Sequence, residues 1–484
     1  MNSSAGKVQA VPLGREAFNR RERQAVPTPP VRIVHLGLGA FHRAHQAWFT
    51  AQAADAAEWG IAAFTGRSPQ AALELAPQDG LFTLIERSEH GDSVSVVTSI
   101  VEAVDGADLD RFARLLAAPE TAIVTMTVTE AGYRLTSAGL PNMSDPTVAG
   151  DVAWLMVACT ADRFPESFTN GPSTALGRLV LGLEARRRAG AGPIAIVPCD
   201  NMPNNGQVVA SGLTALARAA SVETAEWIER NVSFVSTSVD RITPRTTPED
   251  LATAAKLSGW QDAAAVVAEP FTDWVLSGDF PAGRPAWETA GARFVDDIEP
   301  FERRKLWLLN GAHSLLAYAG LLRGHETVAA AMGDPVCRGW VNNFWDEAVR
   351  HLPATGLALD EYRAALLDRF DNTRIEHRLI QIAMEGVTKL RIRVALTVLA
   401  EREQGRDAAA GIRAIGSWVS LVLSGRELLA GRELVDAESS AIAAARDNPV
   451  DRAVEELVRL VDPRLADDEA IITGIRAVVA EHSH

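Results

Sequence analysis

Lysine is nearly missing from this chain. Only four of its 47 basic residues are lysine, namely Lys7, Lys256, Lys305 and Lys389; the rest are arginine. A plain positive charge is therefore written Arg here, so a lysine among apolar residues points to something Arg cannot do, which is to give up its proton when dehydrated. Cysteine is scarce too. Cys159, Cys199 and Cys337 lie far apart with no CxxC or Cys/His spacing, so neither a disulfide framework nor a metal site is indicated. Positive surplus is lacking as well: the formal charge is −15, which argues against nucleic acid or an anionic membrane as main partner and leaves room for a local basic pocket. No apolar run approaches the length of a bilayer span, and Met1 to Pro30 is polar and Arg-rich without a hydrophobic signal core. A cytoplasmic protein is expected.

What is present is enough apolar material for sizeable cores: 484 residues, 47% hydrophobic, most simply two domains. The first part alternates strand-like and helix-like segments. Arg32 to Leu36, Gly60 to Phe64, Ser93 to Ile100, Ala122 to Val128, Ile194 to Pro198 and Val232 to Ser236 read as strands. Phe41 to Ala57, Leu109 to Ala117, Ala175 to Arg188 and Gln207 to Ala219 read as helices. Alternation of this kind predicts an α/β fold with a Rossmann-like doubly wound sheet. Beyond about Phe294 the strand signals fade, and Glu302 to Leu322, Cys337 to His351, Leu359 to Phe370, Ile375 to Ala400 and Ala408 to Leu423 read as amphipathic helices. The expected division is 1–290 for a dinucleotide-binding domain and 291–484 for a mostly α-helical domain.

Gly37 and Gly39 follow the first strand and open a helix, the setting in which backbone amides hold a pyrophosphate. His42 stands where the usual fingerprint has its third glycine. The second strand runs into Thr65-Gly66-Arg67-Ser68, with an arginine where a ribose-binding acid is expected, so NAD and NADP both stay open. Three more polar clusters end strand-like segments: Thr125 to Tyr133, Pro198 to Gly206 and Ser236 to Pro244. Each is ordinary turn chemistry when taken singly. Together with a base they supply what hydride transfer requires.

That base is sought in Phe301 to His313. On one ideal α-helix, at about 100° per residue, Glu302, Lys305, Asn310 and His313 fall within an arc of about 140°. Leu306, Leu309 and Leu316 share that face and are expected to strip water from the Lys305 amine, lowering its pKa towards that of a general base.

The segments Gly37 to Gln46, Thr127 to Tyr133, Cys199 to Asn201 with Asn205-Gly206, Val239 to Pro244, Glu269 to Phe271 with Trp274-Val275, and Lys305 with Asn310 and His313 together resemble the polyol-specific long-chain dehydrogenases. That family includes mannitol 2-dehydrogenases, fructuronate reductases (D-mannonate oxidoreductases) and arabinitol dehydrogenases. The resemblance implies a metal-independent, NAD-dependent enzyme, NADP not being excluded, that interconverts a secondary alcohol and a keto sugar. By the same resemblance Lys305 is the general base, Asn201 and Asn310 hold the developing alkoxide, Glu302 passes the proton to solvent, and Asp240 and His313 hold substrate hydroxyls. The dinucleotide would lie against Gly37, Leu38, Gly39, Ala40, Phe41 and His42, with Thr129 and Glu130 nearby.

Mannitol dehydrogenases of this family carry a substrate-binding Arg where this chain has Gln381, and His377, Arg378 and Gln381 with its neighbours look instead like fructuronate reductases. Arg378, one helical turn before Gln381, is expected to grip a carboxylate. The sequence thus leans to a hexonate and keto-acid pair, D-mannonate and D-fructuronate, with D-mannitol and D-fructose next. Mannitol 1-phosphate, arabinitol and a non-catalytic sugar sensor are the alternatives.

Overall fold

A computed structural model of the chain describes residues 10–23, 28–428 and 434–482. It divides into two compact units, with the break after Glu299.

In the first unit six strands lie parallel in one sheet: β1 (Val31–Leu36), β2 (Gly60–Phe64), β3 (Ile100–Val104), β4 (Ile123–Met126), β5 (Ile194–Pro198) and β6 (Val232–Phe234). Their spatial order is β3-β2-β1-β4-β5-β6, the doubly wound order with its switch point between β1 and β4. These strands are almost wholly apolar because both faces are covered. Val34, Leu36, Phe64, Val124 and Ile196 pack on one side with Phe112, Leu155, Leu179 and Leu213 of four helices. Ile33, Ile61, Ile123 and Val197 pack on the other side with Phe49, Trp274 and Trp287.

The expected strand Ser93 to Ile100 is two strands. Gly91–Val97 pairs antiparallel with Phe82–Ser88, and only from Ile100 does the chain enter the main sheet. The Arg15 guanidinium pins the turn, donating to the carbonyls of Thr98 and Ile100 at 2.9 Å each. A further strand, β7 (Ser236–Asp240), leaves β6 to pair antiparallel with Asp273–Ser277. It carries Asp240 to its end.

The second unit is helical. Its central element, Ala312–Leu322, packs against Pro335–Val349, Leu379–Ile382 and Ala409–Leu428. Two expected helices are interrupted. Glu302 to Leu322 runs as Glu299–Arg304, a π-helical stretch Lys305–Gly311 and then Ala312–Leu322. Ile375 to Ala400 is broken at Glu385, whose φ of 55° is left-handed, and turns π-helical again over Arg391–Ala395. Packing keeps the next residue bare: a Cβ on Gly386 would stand 2.3 Å from Nε1 of Trp418. Among the described residues no helix is long and apolar enough to cross a membrane.

Candidate active site

The first unit gathers its polar strand ends at one sheet edge. Gly37 has φ +108°, and a Cβ there would lie 2.5 Å from the Thr127 carbonyl oxygen, so only glycine allows β1 to turn so close to β4. The amides of Gly37 and Leu38 both donate to the Phe64 carbonyl at 2.9 Å. The helix that follows, Ala40–His42 continuing through Arg43–Ala47 and Trp48–Gln52, begins at Gly39 with no side-chain cap. Its first-turn amides therefore suit an anion. A glycine cradle and an uncapped helix start fit the pyrophosphate of a dinucleotide. Thr129 and Glu130 are exposed just past β4.

His42 is fully buried and folds back onto the sheet, its ring stacked on that of His35 in β1 with centroids 3.3 Å apart and planes 9° from parallel. The next residues, Arg43–Ala47, form a π turn, and the wider turn accompanies a bulky residue where glycine would let helix and strand close up. Burial, and then the neighbouring His35, hold the His42 pKa well below its ordinary value.

The loop after β5 is tied at both ends. Asn205, fully buried, donates to the carbonyls of Pro198 and Thr237 at 3.2 and 3.1 Å and accepts from the Thr237 amide at 2.8 Å. Tyr133 donates to Asp200 at 2.5 Å, and Asp200 in turn accepts from the Met202 amide at 3.0 Å. Burial raises the pKa of both Tyr133 and Asp200. Between these anchors Asn201 is exposed. At the end of β7, Asp240 is buried, and its neighbour Arg241 fixes that corner by donating to Glu269, Ala44 and Glu86 at 3.0, 2.6 and 2.6 Å.

In the second unit the π turn changes the angular argument. Lys305 and Asn310 are five residues apart, which an α-helix spreads by about 140°. A π turn closes its hydrogen-bonded ring between residues i and i+5, so Asn310 stands over Lys305 much as an i+4 neighbour does in an α-helix. Two features support this turn. The Trp345 indole donates to the Leu308 carbonyl at 2.7 Å, and Gly311 lets Phe344 approach, since a Cβ would lie 2.5 Å from its ring. Lys305, Asn310 and Glu302 are half-buried, while Leu309 and Leu316 are buried.

His313 is 7% exposed, and its Nε2 has no hydrogen-bond partner among the described residues. Its ring lies edge-on to His377, with centroids 4.8 Å apart, and as close to Phe370. Burial comes first and the charges of His377, Arg369, Arg393 and Lys389 follow in holding its pKa well below the ordinary value. Lys389 and Arg393 are residues the sequence reading did not assign to the site. Lys389 donates to the Ile382 carbonyl at 2.9 Å, and burial, aided by Arg393, lowers its pKa to about 8. Arg393 reaches Ser314 Oγ at 3.3 Å, and burial lowers its pKa too.

Arg378 and Gln381 bracket one short turn, the Arg378 carbonyl accepting from the Gln381 amide at 3.1 Å. Arg378 has an extended backbone before the short helix Leu379–Ile382, is bridged to Thr327, and its exposed side chain pairs with Glu376 at 3.2 Å. Gln381 is exposed as well. Elsewhere His325, Asp334 and Cys337 bring ligand atoms within 4.8 Å of one another. Arg323 already binds the Asp334 carboxylate at 2.6 Å, and burial keeps the Cys337 thiol at about 11, so the group reads as a capped helix start held by an ion pair.

Comparison with known proteins identifies the family. Residues 31–289 match the family model of the mannitol dehydrogenase Rossmann domain, and residues 297–479 match that of the mannitol dehydrogenase C-terminal domain. The chain is 36% identical over 423 residues to D-mannonate oxidoreductase of Escherichia coli, covering 85% of this chain and 82% of that one. It is 37% identical over 371 residues to a mannitol 2-dehydrogenase of Pyrenophora tritici-repentis, covering 74% and 63%. Its fold resembles that of Pseudomonas fluorescens mannitol 2-dehydrogenase, solved with NAD and D-mannitol, with TM-score 0.77 and 28% identity over 97% and 96% of the two chains. Two family domains in order and a doubly wound sheet of the required topology lead to one assignment: the chain belongs to the mannitol dehydrogenase family of oxidoreductases.

Proposed function

We propose that this oxidoreductase uses NAD to interconvert the secondary alcohol of an acyclic hexonate and its keto acid, D-mannonate and D-fructuronate, with hexitols as poorer substrates. The observation that carries the acid is the set of cations around His313. Arg369, Lys389 and Arg393 all act on that buried ring, while Glu385 and Asp436 oppose the lowering of Lys389. Such a set favours an anionic end on the substrate. It takes over the task first expected of Arg378, whose side chain points into a surface pair.

A bound nicotinamide dinucleotide supplies the hydride acceptor. In the proposed reaction Lys305 takes the alcohol proton and Glu302 hands it on to solvent. Asn201 and Asn310 donate hydrogen bonds to the oxygen as it becomes an alkoxide, and His313 and Asp240 hold neighbouring hydroxyls. With Nε2 unpaired and the ring neutral, His313 has a free position for a hydroxyl.

Steady-state rates with D-mannonate, D-mannitol, D-arabinitol and mannitol 1-phosphate, read as NADH absorbance, test the proposal. A higher kcat/KM for mannonate supports it. A higher kcat/KM for any of the other three refutes the acid, and absence of turnover with all of them refutes the oxidoreductase reading of this site.

A further inference from the structure

His35 and Thr127 have no part in the chemistry above, yet they carry a hydrogen-bond chain to the glycine turn. His35 is fully buried in the central strand β1. Its Nδ1 is 2.8 Å from Thr125 Oγ1 and its Nε2 is 3.1 Å from Thr127 Oγ1. Thr127 also donates its hydroxyl to the Gly37 carbonyl at 2.8 Å. Because a hydroxyl has one proton, Thr127 must accept from His35, so Nε2 carries the ring proton and Nδ1 accepts from Thr125. Burial keeps the ring neutral, with a pKa of about 3 that the Gly37 carbonyl opposes only in part. The tautomer is thus fixed by its partners, and the His42 ring lies flat against the His35 ring.

We propose that this chain, Thr125 to His35 to Thr127 to Gly37 with His42 as its clamp, is a positioning device for the dinucleotide. It fixes the direction of the Gly37 carbonyl at a φ of +108°, and so the peptide plane shared with the Leu38 amide, from which the chain enters the helix start at Gly39 and Ala40. A hexonate or hexitol has no place in this device. Its effect falls on cofactor affinity. The inference rests on the reading that the glycine turn receives a nicotinamide dinucleotide.

The test is calorimetric titration of the full chain with NAD and with NADH, alongside thermal unfolding of the free protein. Thr127→Val keeps the shape and removes the hydroxyl, leaving two buried polar groups unpaired, and dissociation constants should rise at least about tenfold. Thr127→Ser restores the hydroxyl and should bind within about threefold of the natural protein, well inside one hydrogen bond's worth. His42→Gly, which writes the usual third glycine, should bind more weakly because the clamp is gone. Unchanged affinity in Thr127→Val with a lower unfolding temperature would mean a merely structural role and overturns the proposal. So does equal loss in Thr127→Ser, while tighter or equal binding in His42→Gly overturns the clamp. If the natural protein itself binds neither dinucleotide, the dinucleotide reading fails instead.

Discussion

Lys389→Met should convert an acid-preferring enzyme into one that distinguishes acids from hexitols poorly. Of the three ammonium protons, one is committed to the Ile382 carbonyl at 2.9 Å, leaving two for a ligand. The ammonium bonds a hydroxyl with one charged partner and a carboxylate with two, and the second charge strengthens a bond that by itself contributes about 1.5–3 kcal/mol. The difference, about 1–1.5 kcal/mol, is a fall of roughly tenfold in the ratio of kcat/KM for mannonate over mannitol. Charge adds a second signature. With the free-enzyme pKa at about 8, lowered from the ordinary lysine value, Lys389 is charged below that pH and loses its charge as pH rises through it. At pH 9 only about a tenth of the molecules keep the charge. The ratio of kcat/KM for mannonate over mannitol should therefore fall roughly tenfold between pH 7 and pH 9 in the natural enzyme, while Lys389→Met shows a flat ratio. Both substrates need the same proton acceptor, so titration of Lys305 cancels in the ratio. Equal losses for mannonate and mannitol in the variant, or the same pH dependence with and without Lys389, would refute the reasoning.

Three further outcomes are expected. Lys305→Ala should retain dinucleotide binding by calorimetry and lose turnover, and more than about a tenth of the natural rate would remove Lys305 from its role, since one general base contributes at least about 10²-fold. Arg378→Leu should change kcat/KM for mannonate by less than about threefold, because its exposed pair with Glu376 is worth about 0–1 kcal/mol; a larger selective loss would return the carboxylate to Arg378. Glu401→Gln tests stability. Burial alone would raise the Glu401 carboxyl, but hydrogen bonds from Arg350, His351 and Arg406 hold it at about 2 against an ordinary 4.5. Its ionisation thus contributes roughly 3 kcal/mol at neutral pH. That contribution is complete above the unfolded value and fades as pH falls towards 2, so urea denaturation should separate variant from natural protein at pH 7 and much less at pH 3. A gap of the same size at both pH values would refute this account.

The doubly wound order was legible because strands buried on both faces are written as unbroken apolar runs, and such runs alternate with helical periodicity over Arg32 to Phe234. The short strands Val266–Ala268 and Asp273–Ser277 escaped notice. They belong to small sheets whose partners are remote in sequence, and no local pattern announces such pairing. The amphipathic pattern from Ile375 to Ala400 carries no local sign of the break at Glu385. Only the indole of Trp418, distant in sequence, shows that Gly386 must be bare.

Scarcity of lysine singled out Lys305, and the same argument applied to Lys389, which sits in an equally apolar stretch and was passed over. Its environment depends on Arg393 and on the turn at Glu385, so its lowered pKa could be stated only with the fold in hand. The π turns at Arg43–Ala47, Lys305–Gly311 and Arg391–Ala395 were hidden for a different reason: an α-helix and a π turn can be written with the same residues, and what selects the wider turn is contact. For the first two turns, His42 against His35, Phe344 against Gly311 and Trp345 against the Leu308 carbonyl are those contacts. The first turn directly follows the residues assigned to the dinucleotide, the second carries Lys305 and Asn310, and the third carries Arg393. An interval that α-helical geometry spreads across about 140° is narrowed on the π turn Lys305–Gly311, which brings positions 305 and 310 to one side of the helix.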